Sequence, residues 1–411
     1  MKRIVATSLV VLAMAIGALA QSAQPADQTE TVKALLKEVT ELKARLAAVE
    51  AKLAEPAAAP AAAPAMTFTP ETSSFVRGIK FQGFGEVGYK ANDNPFGQSP
   101  AFGFSEGSNG NFATGDFDLF MTSRINDKTS VLAEIVFEAA DAQSFNVNMA
   151  RALLKYDAND YLKMSFGRYH TATSFFNQNF HSGKWLQTPT DRPLVVQFAA
   201  KGGMLPTQAI GASITGKIPS GKLGLNYIFE YGTSDTVRPD INSRTVATTD
   251  ESNGNGTTLG LFAKPDFLPG LEVGGSFYHD RLNPTDTGLH IGQSIYSAHL
   301  MYLTPRFEFI NEGFVIQHAV DNARTYHTPA FYSLISYNVS GKWRPYFMYQ
   351  YANANVNRVV LDDIGLRHGP SAGVRYDFNS YVAAKFQYDR AMRRNPLPTI
   401  NSATTQLAFR F

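Results

Sequence analysis

Cysteine is absent from the 411 residues. That excludes disulfide staples, thiolate metal centres and cysteine nucleophiles. It also suits a chain that crosses an oxidising periplasm without forming wrong bridges. Tryptophan is scarce, at two copies against 30 Phe and 18 Tyr, an aromatic supply that fits interfacial girdles. Net charge is nearly absent: a formal +2 leaves no concentrated basic surface for a nucleic-acid partner. Long apolar runs are missing beyond the N-terminus, where no window holds the roughly 20 apolar residues of a spanning helix. Strands that alternate lipid-facing and water-facing side chains produce this blandness, because the average cancels.

What is present begins at the far end. In Thr404-Thr405-Gln406-Leu407-Ala408-Phe409-Arg410-Phe411, odd positions are mostly apolar and even positions mostly polar. This period of two makes one oily face and one wet face. Such an edge templates aggregation unless another strand covers it, so the segment is expected to close a sheet. At the near end, Met1-Lys2-Arg3, an apolar run to about Ile16 and Ala18-Leu19-Ala20 read as a signal peptide over 1–20. Val32, Leu35, Val39, Leu42, Leu46, Val49 and Leu53 are then spaced three and four apart. That seam, flanked by Lys43, Arg45, Glu50 and Lys52, predicts a self-associating coiled-coil helix over 21–55. Repeated Ala-Ala-Ala-Pro makes 56–78 an extended linker.

From Ile79 to Phe411 the pattern predicts sixteen strands: 79–89, 115–125, 129–138, 146–156, 160–169, 207–216, 221–231 and 255–263, then 270–279, 294–303, 306–316, 327–339, 342–351, 368–377, 380–391 and 403–411. Turns after even-numbered strands are short, as at Asn126-Asp127-Lys128, Asp157-Ala158-Asn159 and Phe378-Asn379. The long connections, near 90–114, 170–206, 232–254, 280–293 and 352–367, all follow odd-numbered strands. An up-and-down barrel produces this alternation, whereas a Greek-key sandwich has no reason to obey it. Ten residues tilted by some 40° rise about 25 Å, the height of an outer-membrane apolar band. The predicted fold is all-β: a 16-stranded antiparallel transmembrane β-barrel preceded by a coiled-coil helix. A barrel of this strand number leaves an aqueous channel.

A cation on the lipid face costs about 2–4 kcal/mol at mid-bilayer, so charges decide which parity faces inward. Lys80, Arg124, Arg151, Lys155, Lys163, Arg344, Arg375 and Lys385 then line the lumen, beside inward acids such as Glu86, Asp116, Asp118, Glu134 and Asp389. Both signs together predict a wet interior. The connection 170–206 holds Lys184, Arg192 and Lys201 against one acid, Asp191, with His181 nearby. Its Phe175, Phe176, Phe180, Leu194, Val195 and Val196 are too apolar for disorder, so it is expected to pack inside the barrel mouth, the alternative being an extracellular cap or a clamp onto a neighbouring subunit. A basic loop there narrows the pore and favours anions at a constriction of Lys184, Arg192, Lys201 and His181.

Other motifs carry less. Gly83-Phe84-Gly85-Glu86-Val87-Gly88 has the spacing of a phosphate-binding turn, but it lies inside an alternating strand with no helix behind it. Its glycines instead let strands curve or aromatics pack over them. His279-Asp280 and the pair His318 and Asp321 are the places to look for a barrel hydrolase, without any serine-nucleophile motif. Asp250 to Asn255 lacks the full EF-hand spacing. No catalytic residue, metal site or cofactor is assigned.

In layout the chain resembles the trimeric general porins, and more closely the phosphate-selective porin superfamily with its dicarboxylic-acid-porin relatives. The coiled coil, the Ala/Pro linker, sixteen strands, the long loop after Gly167-Arg168-Tyr169 and the terminal Phe411 carry that resemblance. It implies a homotrimer in the bacterial outer membrane, in contact with lipid and lipopolysaccharide, its coiled coil in the periplasm. It also implies passive diffusion of small hydrophilic solutes past an infolded third loop. A barrel that anchors the envelope through its coiled coil is the structural alternative.

Overall fold

The structure, a computed structural model, describes residues 78–94, 109–139, 145–180, 183–198, 203–234, 255–282, 290–354, 360–361, 364–394 and 396–411. The expected signal peptide, the coiled-coil helix and all but the last residue of the linker lie outside them. In chain order the strands are β1 Ile79–Asn92, β2 Asn109–Arg124, β3 Thr129–Ala139, β4 Phe145–Asn159, β5 Leu162–His170 and β6 Gln208–Lys217. Next come β7 Leu225–Ser234, β8 Gly256–Ala263, β9 Leu271–Leu282, β10 Ile291–Leu303 and β11 Phe307–Val320. The remainder are β12 Thr325–Tyr337, β13 Trp343–Asn353, β14 Leu366–Asp377, β15 Val382–Arg393 and β16 Ile400–Arg410. Each pairs antiparallel with its sequence neighbours, and β1 pairs with β16, so the sheet closes into a barrel. All sixteen expected strands are present. Several run a few residues further at the long-loop end, where Gly, Ser and Asn blur the alternation.

Burial follows the alternation. In β15, Lys385, Gln387 and Asp389 are buried while Phe386, Tyr388 and Arg390 between them are exposed. The outward face carries apolar side chains such as Leu259, Leu261, Val315, Ile335 and Leu407. Aromatic pairs interlock across neighbouring strands toward both ends. Trp343 meets Tyr376 at 4.5 Å on the short-turn side, and Tyr89 meets Phe112 at 5.1 Å on the other.

Three short turns share one device. The Asn126 side chain accepts from the backbone of Lys128 and Thr129, both at 2.9 Å. Asn159 does the same for Tyr161 and Leu162, and Asn379 for Tyr381 and Val382. An asparagine that bonds the backbone two residues on mimics a turn and reverses the chain within a few residues.

Closure depends on β1 and β16. The Gly83 N–H donates to the Phe411 carbonyl at 2.8 Å, and the Phe411 N–H donates back at 3.0 Å. The Phe411 ring lies over Gly83, where an added Cβ would sit 2.2 Å from it, and the Phe409 ring covers Gly85 at 2.6 Å. Phe411 also stacks on Phe117 of β2 at 5.4 Å. The glycine spacing is thus a bed for two aromatic rings and not a phosphate cradle.

Part of the inward face is apolar, beside the charges of both signs expected there. Inward positions of β10 to β13 are largely apolar, including Ile295, Met301, Ile310, Phe314, Leu334 and Met348. They form one buried cluster with Phe175, Phe176, Phe180, Leu194, Val195 and Val196 of the 170–206 connection. The loop's own oily residues need a dry partner, and this wall supplies it.

Candidate functional site: the lumen and its infolded loop

The connection after β5 turns into the barrel. It contains a short helix α1, Phe175–Asn179, and a 3-10 turn at Leu194–Val196. Ser174 caps α1, its hydroxyl accepting from the Asn177 N–H. Glu312 of β11 reinforces that end, accepting from the Ser174 hydroxyl at 2.8 Å and from the N–H groups of Phe175 and Phe176 at 2.7 and 3.0 Å. Tyr332 of β12 donates to the same carboxylate. Helix N-termini leave unsatisfied donors, and an inward carboxylate is a fitting partner for them.

Other strands grip the rest of the loop. Glu230 of β7 accepts from the Ala172 N–H at 2.8 Å, and Glu308 from the Thr188 hydroxyl at 2.6 Å. Gln350 of β13 accepts from Leu194 N–H at 2.7 Å, and Gln387 from Thr190 N–H at 3.1 Å. Arg375 of β14 donates to the carbonyls of Trp185 and Gln187. Lys385 donates to the carbonyls of Lys184, Gln187 and Pro189. A hydrogen bond to a charged group is worth about 1.5–3 kcal/mol, so several acting together fix the loop in place.

The sequence-expected constriction residues take different positions. Arg192 is 2 % exposed. Its guanidinium donates to the carbonyls of Val196 and Phe180 and to Asn177 Oδ1, at 2.8, 3.0 and 3.1 Å. It also stacks near the rings of Phe176 and Phe198. Burial lowers its pKa to about 9, against the raising influence of Tyr332, Asp191 and Glu312, so it stays charged at neutral pH. Arg192 organises the loop from within and does not project from it. Lys184 joins Asp191 at 2.7 Å, and Lys90 of β1 joins the same carboxylate at 3.1 Å. Burial alone would raise Asp191, but these two ammonium groups hold it well below the usual carboxylate range. Lys201 and His181 lie outside the described residues.

The wall residues divide into two groups. Arg375 and Lys385 face inward as expected but are buried under the loop they hold. Lys80, Arg124, Arg151 and Lys155 line a cavity of about 580 Å³ between the β2–β3 turn, the walls of β1 to β4 and Gln178 of the loop. Lys128 adds a cation there, and Asp127 and Asp157 are its acids. Arg151 is bonded to the buried Glu134. Lys163 is exposed near the short-turn end of β5. Arg344 lines a second cavity of about 610 Å³ on the far side of the loop, with Lys342, Arg375 and Arg410 against Glu308 and Asp377. Among the described residues, both of these spaces lie toward the short-turn end and are richer in cations than in acids.

The candidate hydrolytic pairs are not assembled. Adjacent in β9, His279 is exposed outward and Asp280 is buried inward, bonded to the Tyr278 hydroxyl at 2.9 Å and Gln293 at 3.1 Å. His318 is buried against Gln293 at 2.8 Å, while Asp321 is exposed beyond the end of β11. Alternation turns Gln350 and Gln387 inward, but sequence reasoning gave neither a hold on the loop and missed Glu308 and Glu312. For Glu312 and Gln350 the available signal was an inward polar residue flanked two positions away by inward apolar ones, which must find a buried partner; Glu308 and Gln387 carried no such signal.

No family model and no curated protein sequence matches the chain. Solved structures do. The anion-selective porin from Comamonas acidovorans is similar with a TM-score of 0.56 at 11% identity, covering 81% of this chain and 99% of that one. Salmonella typhi OmpF, in complex with daunomycin, gives 0.54 at 14% identity over 81% and 97%. The trimer form of OmpT, an outer membrane protein of Vibrio cholerae, gives 0.53 at 13% over 81% and 99%. At these identities the likeness is one of fold: this chain shares the barrel of outer-membrane porins.

Proposed function

We propose that this protein is a passive porin of the bacterial outer membrane, admitting small hydrophilic solutes with a mild preference for anions. The observation that carries the reading is the pair of cation-rich cavities flanking a fixed, infolded loop. A solute close to such walls, partly shielded from bulk water, meets a positive field that favours one sign without binding tightly. The constriction is built from the 170–206 loop and the facing wall. Its selecting charges are Lys80, Arg124 and Lys155 of the wall more than the loop's own Arg192. In planar bilayers under a KCl gradient, the reversal potential should lie on the chloride side. Combining Lys80→Glu with Lys155→Glu should move it toward potassium; an unchanged potential would remove these residues from the selecting path.

The same proposal includes a homotrimer, joined on the periplasmic side by coiled-coil helices over 21–55. A trimer form of Vibrio cholerae OmpT, whose barrel this chain resembles, supports self-association. Light scattering in detergent should give three barrels per particle; a monomeric mass would end this part of the reading.

A further inference from the structure

The two cavities beside the loop differ in chemistry. The one bounded by β1 to β4 is lined mostly by charged and hydroxyl side chains. The other has an apolar side, made by Trp185 and Leu186 of the loop and Pro305 of the β10–β11 turn, with the buried Phe180 and Leu303 behind them. Facing it are Lys342, Arg344 and Arg410. We infer that this second cavity is a binding site for an organic anion, a monocarboxylate attached to a compact hydrocarbon ring.

The case starts from the cations. Arg344 has only marginal partners, Glu308 at 4.0 Å and the Pro305 carbonyl at 3.4 Å, and keeps donors to spare. Lys342 has no ion-pair partner among the described residues. Arg410 gives its Nε to the Ser380 carbonyl at 2.7 Å and lays its guanidinium 4.4 Å from the Trp185 ring centre. The two lining carboxylates are engaged elsewhere. Glu308 accepts from the Thr188 and Ser336 hydroxyls, both at 2.6 Å, and Asp377 holds Arg375 at 2.8 Å.

A carboxylate satisfies the spare guanidinium and ammonium donors as a planar, charge-assisted acceptor. An inorganic anion would do that too, but would leave the hydrocarbon wall wet. A ring buries that wall and adds apolar transfer energy in proportion to area. The volume of about 610 Å³ lies within the usual range of small-molecule sites. Three short turns, at Thr304-Pro305, Gly341-Lys342 and Phe378 to Ser380, border the cavity, so the ligand enters from the short-turn end.

The chain carries its own reporter. Its two tryptophans are Trp185, beside the cavity, and Trp343, half exposed on the outward face. In Trp343→Tyr protein in detergent, cyclohexanecarboxylate should change Trp185 fluorescence saturably at constant ionic strength. Uncharged cyclohexanecarboxamide and inorganic phosphate should not. Combining Lys342→Gln with Arg344→Gln should weaken binding about ten-fold or more, the loss of at least one charge-assisted bond. Lys155→Gln, in the other cavity, should leave it unchanged. A non-saturating signal, equal response to the carboxamide or phosphate, or equal weakening by Lys155→Gln would overturn the assignment. Should Trp343→Tyr fail to give a heat-modifiable barrel, calorimetry on the unsubstituted protein reads the same binding. Channel conductance is measured separately, so this site and the porin reading fail independently.

Discussion

Phe411 and Gly83 form the point where the barrel shuts, and neither explains the other's side chain alone. A ring set directly over a glycine leaves no room for a Cβ, which would meet it at 2.2 Å. Gly83→Val should therefore push that half-exposed ring aside and destabilise the folded barrel by about 1 kcal/mol, the lower end of the usual cost of overpacking. Most of that cost should vanish in a Phe411→Ala background, because the clash is with that ring. Chemical denaturation of the four proteins in detergent gives the coupling. Equal penalties in both backgrounds would show that the glycine serves β1 itself and not the ring. Arg192 shows the opposite relation between type and place. Its charge suggested a solute contact, yet three acceptors of its own loop claim the guanidinium.

The 170–206 loop is the element whose behaviour the strands dictate. Glu312 satisfies the first turn of α1 and the Tyr332 hydroxyl, so Glu312→Leu leaves several buried donors unpaired. Each such group costs about 1–3 kcal/mol, enough to loosen the loop while the barrel persists. Limited proteolysis should then cut within 170–206 in the variant, with the heat-modifiable barrel retained, and leave the unsubstituted protein intact. The Lys90–Asp191–Lys184 link gives this protection its pH limit. Asp191 titrates below its unfolded value of about 3.9, so its contribution is full above that pH and is lost as pH falls through the depressed value. Protection should hold from neutrality to about pH 4 and weaken only in stronger acid. Cutting at pH 6 would mean that the Lys90–Asp191–Lys184 link does not set the loop's acid limit.

The strands and their inward parity were readable because lipid and water impose a strict period of two, whereas the loop's apolar residues demanded a partner without saying whether it lay in the lumen or in an outer cap. Lys385, Asp389, Phe386 and Leu407 each take the side their alternation requires. The partners of individual charges were not readable. Lys385 and Glu230 meet the loop only after the barrel closes, at sequence separations that no local pattern encodes. The dry half of the lumen was hidden for the same reason: Ile310 and Phe314 read as ordinary inward residues until the loop's phenylalanines arrive against them.

For the molecule as a whole, a nearly neutral composition conceals an uneven interior. Cations outnumber acids around both cavities, while Glu230 and Glu312 are engaged in holding the loop. A closed barrel with an infolded loop has two possible outcomes: a narrow conduit on one or both flanks of the loop, or a sealed plug. The measurement that separates them is single-channel recording of the purified full-length protein in planar bilayers under a KCl gradient. The account predicts discrete, long-lived conductance steps with a reversal potential displaced toward chloride. Bilayers that incorporate folded protein yet show no steps would contradict it.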